Sequence, residues 1–260
     1  MRLLTGGDDW VVEVLSETPS TNAVLANRAR SGAPEGLVIA TEHQTAGKGR
    51  LDRVWSTPKS SALTFSVLLR PHHLDPAKWT WLPLLAGLSV TSALRSMGFD
   101  AGVKWPNDVL LTTVDPDSGA PLEAKICGIL VERVETAEGP AAVIGIGINT
   151  SMRPEDLPVS TATSLRIASG AEVDRTQVLI TVLRSLFAHY ADWLADPDEV
   201  ASAYRSMSAT LGRQVRAELP GGGTLLGRAT GIDPIGCLVI DTTSGPVAVA
   251  AGDVVHLRAV

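Results

Sequence analysis

Cysteine is scarce in this sequence, which contains Cys127 and Cys237 and no others. The two residues are far apart and lack the paired spacing of a zinc site. Such a low count also gives no basis for a disulfide framework and is typical of a reducing compartment. We therefore expect a cytoplasmic protein in which both thiols pack as small apolar side chains.

Long apolar runs and an excess of positive charge are missing as well. No segment reaches the roughly 20 apolar residues of a membrane-spanning helix, and the N-terminus, MRLLTGGDDW, has no apolar signal-peptide core. We therefore expect no membrane partner. The formal net charge of −6 excludes general nucleic-acid binding by the whole surface.

A glycine-rich basic stretch, TEHQTAGKGRLDRVW, occupies Thr41 to Trp55 between two apolar segments that we interpret as buried strands. It is longer than a simple turn requires. Glycines let backbone N–H groups approach an anion, Lys and Arg add positive charge, and an exposed Trp can stack on a flat base. The stretch therefore indicates an anion site, although a solvated basic loop is the favoured alternative when it is considered in isolation.

Four further segments carry candidate binding groups. Ser20, Thr21 and Asn22 precede a helical pattern, where they would cap the helix or bind a polar ligand. Lys-Trp-Pro-Asn-Asp at 104–108 indicates a bend at its proline. The other two are the strand that begins at Lys125 and the strand Gly-Ile-Gly-Ile-Asn at 145–149, whose glycines leave one face open. Neither a Rossmann GxGxxG nor a Walker A motif is present.

The periodicity predicts an α+β fold in two parts. Strand and helix patterns are mixed through residues 1–210, with a first strand over Trp10 to Leu15 and a turn-rich surface excursion at 114–123. From residue 211 short alternating runs are separated by Gly, Pro and Asp, which is typical of a small all-β module. We therefore place the domain boundary between residues 210 and 211.

In this order, the five segments resemble those of the biotin protein ligases. The resemblance covers the chain from about residue 12 to its end, and residues 104–108 and the basic stretch ending in Trp55 are its most specific parts. It implies a mixed sheet with flanking helices, related to class II aminoacyl-tRNA synthetases, followed by a C-terminal SH3-like β-barrel.

The resemblance also implies a reaction. Biotin and ATP would form biotinyl-5′-AMP with the help of Mg²⁺. The biotinyl group would then pass to one lysine of the biotin carboxyl carrier domain of acetyl-CoA carboxylase or another acyl-CoA carboxylase.

Site residues follow from the same resemblance, position by position. Those implied to act in catalysis are Lys125, Arg50, Lys48 and Asp108, of which Asp108 would hold a metal ion or orient the incoming lysine. Those implied to bind biotin are Ser20, Thr21, Asn22, Gln44, Lys48, Gly49, Arg50, Lys125 and Gly128. Those implied to bind ATP or the adenylate are Arg50, Arg53, Trp55, Lys104, Asn107, Lys125 and Asn149.

Two departures from the family pattern stand in the basic stretch. Where the family usually reads Gly-Arg-Gly-Arg-x-Gly-Arg, this sequence has Lys48 in place of the first Arg and Asp52 in place of the later Gly. Lysine keeps the charge but loses the bidentate fork of arginine. We expect Asp52 either to loosen the segment or to pair with a neighbouring arginine.

The first strand near Trp10 leaves no space for the N-terminal winged helix of repressor-type members, so we expect a monofunctional ligase without DNA binding. Separately, we expect the protein to be a monomer or weak homodimer. Two rival functions remain. The first is a ligase for lipoate or octanoate, and the second is a regulatory protein that holds biotin or its adenylate without transfer.

Overall fold

The structure is a computed structural model that describes residues 2–5, 10–51, 53–72, 74–114 and 119–257. Within these residues, the first part of the chain contains ten strands. They are β1 (Arg2–Thr5), β2 (Val11–Leu15), β3 (Leu37–Thr41), β4 (Gly47–Lys48), β5 (Val54–Trp55), β6 (Ala62–Leu69), β7 (Ala101–Lys104), β8 (Asp108–Val114), β9 (Pro121–Val134) and β10 (Ala141–Asn149).

Eight of these strands form one sheet in the order β1-β2-β3-β6-β10-β9-β8-β7. Neighbours are antiparallel except for β2 and β3, which are parallel. The remaining two, β4 and β5, form a separate antiparallel ribbon. The mixed sheet expected from the sequence is therefore confirmed.

Helices cover both faces of the sheet. They are α1 (Thr21–Arg30), α2 (Leu82–Ser96), α3 (Leu165–Ser169), α4 (Arg175–Ala195) and α5 (Pro197–Ser206), with short 3-10 helices at Pro76–Trp81 and Pro154–Asp156. The apolar faces of α2 and α4 pack on one face of the sheet in the main core, and α1 packs on the other face in a smaller core with Ile39 and Leu68.

The sheet separates the two cores, and the side chains of β6 alternate between them. Phe65, Val67 and Leu69 enter the main core, whereas Leu68 enters the smaller one, because successive strand residues point to opposite faces. Thr64 and Ser66 are buried polar residues on the α1 face. This polar end of the α1 face is where the candidate site lies.

The C-terminal part is a five-stranded antiparallel sheet. Its strands are β11 (Gln214–Glu218), β12 (Thr224–Ile232), β13 (Leu238–Thr242), β14 (Gly245–Val249) and β15 (Asp253–His256), in the order β14-β13-β12-β11-β15. Alternate residues such as Val215 and Ala217 are fully buried and join the main core. The small all-β module predicted from residue 211 onward is thus present.

Polar contacts fasten this module to the first part of the chain. The Nε1 groups of Trp81 and Trp105 donate to the backbone oxygens of Pro234 (2.9 Å) and Gly236 (3.0 Å). Nearby, the guanidinium of Arg213 donates to both carboxylate oxygens of a glutamate on β9, Glu123.

The structure corrects three expectations about local structure. The segment at 114–123 was expected to be a surface excursion, yet Val114 pairs with Pro121 and Thr112 with Glu123, so β8 and β9 are the two strands of one hairpin. The basic stretch was expected to be a loop, but Gly47 pairs with Trp55 in the ribbon. Both errors have the same cause, since these short pairings lack the apolar alternation on which strand prediction depends. The strand over Trp10 to Leu15 was also expected to be the first, but β1 precedes it in the chain and pairs with it.

Trp81 provides a test of the contact between the two parts. Replacing it with Phe keeps an aromatic ring but leaves the oxygen of Pro234 without its donor, so we expect the free energy of unfolding to fall by about 1 kcal/mol. Replacing it with Ala also opens a cavity, for which we expect a loss of about 3–5 kcal/mol. Urea denaturation measures both, and equal losses for the two variants would contradict the packing role.

His256 predicts how stability depends on pH. Burial, together with the charges of Lys104 and Arg213, lowers the pKa of its imidazole to about 4 despite the opposing effect of Glu123. The folded protein therefore holds a neutral imidazole, whereas the unfolded chain binds a proton below about pH 6.5. The free energy of unfolding should thus fall as the pH is lowered from about 6.5 towards 4, by about 2–3 kcal/mol from this residue.

The measurement is the difference between the wild type and His256→Gln, because subtracting the two removes the contribution of other titrating groups. The wild type should lose more stability than the variant over this pH window. Parallel stability curves would contradict a buried neutral imidazole.

Candidate active site

A cavity of about 350 Å³ lies between the start of α1, the ribbon and the strands β8, β9 and β10. Its walls also include Pro158, Val159, Ala162 and one residue of the C-terminal module, Asp253. The site thus draws on segments that are distant in sequence, and the sheet brings them together.

The floor of the cavity is a glycine surface. On β10, Ile144, Ile146 and Ile148 point into the main core, and the residues between them, Gly145 and Gly147, line the cavity on the other face. A Cβ atom on Gly147 would lie 2.5 Å from Cζ2 of the Trp55 indole. The missing side chains therefore make the space that the indole ring occupies.

Buried polar groups stand at the start of α1. Ser20 caps the helix by accepting a hydrogen bond from the Ala23 N–H at 3.4 Å. The N–H of Thr21 donates to Gln44 Oε1 at 2.9 Å, and the Asn22 amide reaches across to β9. Capping accounts for Ser20, but the contacts of Thr21 and Asn22 go beyond what a helix start requires.

Arg50 is a half-buried cation at the opposite end. Its Nη1 donates to Asn107 Oδ1 at 3.2 Å, and Asn107 Nδ2 in turn donates to the backbone oxygen of Ile129 at 2.8 Å. Burial lowers the pKa of the guanidinium, whereas the carboxylates of Asp253 and Asp108 raise it. An arginine remains charged under such shifts, so this end of the cavity attracts anions.

Lys125 and Asp108 form an ion pair, with Nζ and Oδ1 2.5 Å apart. Oδ1 is otherwise buried, so the Lys125 ammonium offsets its negative charge. A β-bulge creates this pair. Asp108 is opposite Gly128, but the register shifts between Val109 and Leu110. The extra residue turns Lys125 to the same face as Gly128, toward the cavity.

The backbone of Lys125 also holds one wall in place. Its N–H donates to the oxygen of Thr161 at 2.7 Å, and its oxygen accepts from the N–H of Thr163 at 2.9 Å. These bonds position Pro158, Val159 and Ala162 at the cavity. Asn149 donates to the oxygen of Thr163 at 2.9 Å, which ties β10 to the same wall.

Nearly all of the residues predicted for the site line this cavity. They are Ser20, Thr21, Asn22, Gln44, Lys48, Gly49, Arg50, Arg53, Trp55, Asn107, Asp108, Lys125, Gly128 and Asn149. Lys104 is not among the lining residues; it lies at the end of β7, where its charge acts on His256. Asp52 lies outside the described residues.

Sequence reasoning missed several lining residues, of which Asp253 is the most informative. This carboxylate comes from β15 and forms an ion pair with Arg53 of the basic stretch. Arg53 is mostly exposed and Asp253 partly so, which means that the pair adds little stability, but it brings the C-terminal module to the cavity mouth. A lone aspartate in a plain β module gives no signal of such a role in the sequence.

Other classes of site find no support in the parts of the chain that the structure covers. Among these residues, no three His, Cys, Asp or Glu side chains are grouped to hold a metal ion, and none of the helices is long and apolar enough to cross a membrane. Burial raises the pKa of the Cys127 thiol, as expected for a packing residue.

The arrangement suits an acid with an apolar body that must approach another anion. The apolar floor and indole would cover the body, the buried amides and hydroxyls would bind a polar head, and Arg50 and Lys125 would offset the negative charges.

Two family models match the chain. The biotin/lipoate A/B protein ligase family matches residues 14–149, and the biotin protein ligase C terminal domain matches residues 210–257. Together they cover both the sheet that forms the cavity and the β module that contributes Asp253.

Similar proteins agree with these matches. A biotin–[acetyl-CoA-carboxylase] ligase of Mycobacterium tuberculosis is 38% identical over 99% of this chain and 93% of its own length. A bifunctional ligase/repressor of Bacillus subtilis is 33% identical over 93% of this chain and 72% of its own. A biotin protein ligase of Aquifex aeolicus, solved with biotin and ATP, has a TM-score of 0.78 and 28% identity over 95% of this chain and 99% of its own. The chain therefore belongs to the biotin protein ligase family.

Proposed function

We propose that this protein is an ATP-dependent ligase that forms biotinyl-5′-AMP and transfers biotin to a lysine of a biotin carboxyl carrier domain. The observation that carries the proposal is the position of Lys125 and Arg50 at one end of a glycine-floored cavity whose other end is lined by buried hydrogen-bonding groups. The 38% identity to the Mycobacterium tuberculosis ligase, whose name gives its acceptor as acetyl-CoA carboxylase, supports the same assignment.

Biotin would lie along the cavity with its ureido head at the start of α1. Thr21, Asn22 and Gln44 would bind the head, with Ser20 beside them, and the thioether ring and tail would lie on Gly128 and the Trp55 indole. The backbone at Lys48 and Gly49 would enclose the tail on the ribbon side. The Aquifex aeolicus relative, solved with biotin and ATP, supports a site for both substrates in this fold.

In the first step a carboxylate oxygen of biotin would attack the α-phosphorus of ATP, and pyrophosphate would leave. Two anions must approach each other, so cations have to offset their repulsion. A charge about 4 Å from such an oxygen contributes on the order of 4 kcal/mol at an effective dielectric constant near 20. Lys125 and Arg50 would supply this charge, Arg53 and Asn107 would contact the phosphates, and Trp55 and Asn149 would position the adenylate.

In the second step the acceptor lysine's amine would attack the acyl carbon of the mixed anhydride, and AMP would leave. Asp108, whose carboxylate lies at the cavity beside Lys125, would hold the amine. The same carboxylate suits Mg²⁺, which is commonly bound by one or two carboxylates together with substrate phosphates. When bound there, the ion would neutralise phosphate charge.

Several finer assignments remain predictions. The boundary between the catalytic part and the β module is placed at residues 210 and 211, and the protein is expected to act as a monomer or weak homodimer on a carrier domain. We also expect no operator DNA binding, and salt-sensitive binding to a specific operator would contradict this. Lys104 keeps its predicted phosphate contact only if ligand binding brings it to the cavity.

ATP–pyrophosphate exchange tests the proposal and separates it from its rivals. Exchange that depends on biotin is expected, followed by labelling of an added carrier domain. Exchange that depends on lipoate instead would assign the lipoate ligase function. Tight biotin binding with no exchange would assign the regulatory one.

Removing the cation at Lys125 gives a direct prediction. Lys125→Met should lower the rate of biotin-dependent exchange by about 10²–10³-fold, because a preorganised charge at the reacting anions is lost. Lys78→Met, at a lysine in the 3-10 helix outside the cavity, is the matched control and should retain the wild-type rate. A Lys125→Met enzyme with near-normal exchange would contradict the role of this residue.

The glycine floor gives a second prediction. Gly147→Ala would place a Cβ against the Trp55 ring, and such overpacking costs about 1–3 kcal/mol. We expect affinity for a non-hydrolysable biotinyl-adenylate analogue to fall about 10-fold or more, with a changed tryptophan fluorescence spectrum. The control is Gly231→Ala, at a strand glycine with open space around it. Equal affinities in the two variants would count against the indole's position.

A further inference from the structure

One carboxylate next to the cavity has no part in the proposed chemistry. Glu132 lies on β9 and does not line the cavity, yet its Oε2 accepts a hydrogen bond of 2.6 Å from Nδ2 of Asn22. Asn22 Nδ2 also donates to the backbone oxygen of Leu130 at 3.3 Å. Both N–H groups of the amide are therefore used on β9, and Asn22 can offer the cavity only an acceptor, its Oδ1.

Ser66 extends this chain of hydrogen bonds onto β6, which β10 separates from β9 in the sheet. The hydroxyl of this fully buried residue lies 2.6 Å from Asn22 Oδ1 and 2.7 Å from Thr21 Oγ1. A serine hydroxyl has a single hydrogen to donate. Because Asn22 Oδ1 is an acceptor, Ser66 must donate to it, and the short contact with Thr21 must then be a bond that Thr21 donates.

The same logic fixes the groups that face the cavity. Thr21 Oγ1 also lies 3.3 Å from Gln44 Oε1, but its contact with Ser66 is much shorter, so its one hydrogen is directed at Ser66. The hydroxyl then offers an acceptor to a ligand in the cavity that Thr21 lines. The oxygen of the Gln44 amide accepts from the Thr21 N–H at 2.9 Å, so the Gln44 NH₂ remains available as a donor. A pocket for a cyclic urea needs this arrangement, with acceptors for the ring N–H groups and a donor for the carbonyl oxygen.

We propose that Glu132 is a positioning residue that fixes the hydrogen-bond direction of the chain Asn22–Ser66–Thr21 and thereby the pocket's selectivity for a ureido head. The inference rests on the proposed function, which supplies biotin as the ligand. Glu132 acts as an acceptor: its oxygen holds the Asn22 NH₂ group on β9, so the amide does not turn over, and a neutral oxygen in the same place would do the same.

The test measures the dissociation constant for biotin in the full chain, together with the KM for ATP. Glu132→Leu removes the acceptor, and we expect biotin to bind about 10-fold or more weakly with the KM for ATP unchanged within about twofold. Glu132→Gln keeps an oxygen in the same place and should recover affinity to within about threefold of the wild type. Glu135→Leu is the matched control at an exposed glutamate just beyond β9, and it should bind biotin normally.

Ser66→Ala interrupts the same chain of hydrogen bonds between Asn22 and Thr21. It should weaken biotin binding in the same way, and adding Glu132→Leu should cost no more than about a further twofold, because residues of one network are not additive. Melting temperatures identify variants that bind biotin weakly because they are partly unfolded and not because the hydrogen-bond direction in the pocket has changed. The Glu132→Gln variant keeps the test informative if Glu132→Leu is unstable.

The outcomes separate this inference from the proposed function. A wild type that binds no biotin would overturn both. A wild type that binds biotin, with Glu132→Leu equally tight, would overturn the role of Glu132 alone. Independent, additive losses in the double variant, or parallel losses for biotin and ATP, would also overturn it by showing a general structural effect.

Discussion

The β-bulge between β8 and β9 is the constraint on which the candidate site depends. In a regular strand, Lys125 and Gly128 would point to opposite faces, because their positions differ by three residues. The register shift at Leu110 brings both to the cavity and sets Lys125 against Asp108. It also frees the Lys125 backbone to bind the segment at 161–163. One extra residue therefore places the central cation and supports a wall of the cavity.

A second constraint is the unequal use of the two sheet faces. The isoleucines of β10 fill the main core, while Gly145 and Gly147 leave the α1 face open at the same height. Trp55 fills part of this space from the ribbon. The stability of the fold and the volume of the cavity thus come from alternate residues of one strand, so the pocket is shaped without weakening the core.

Much of this was predictable from the sequence, because the signals are local. Each binding segment shows its chemistry within a few residues, as in the glycines of β10, the helix start at Ser20 and the basic stretch. Their order along the chain then carried the resemblance to the family. The bulge at Lys125 was not predictable, since it depends on the register in which β9 pairs with β8, which the pattern within one strand does not show. Asp253 and Glu132 were missed because each gains its role from a partner far along the chain, Arg53 and Asn22.

The central claim is that Lys125 and Arg50 form the charge site at which carboxylate and phosphate meet. A crystal structure with a non-hydrolysable biotinyl-adenylate analogue tests it most directly. The account predicts that Lys125 Nζ and the Arg50 guanidinium both contact the oxygens at the biotin–phosphate junction, with the ureido group at Thr21. A bound analogue whose junction lies away from both cations, with Lys125 still paired only to Asp108, would contradict it.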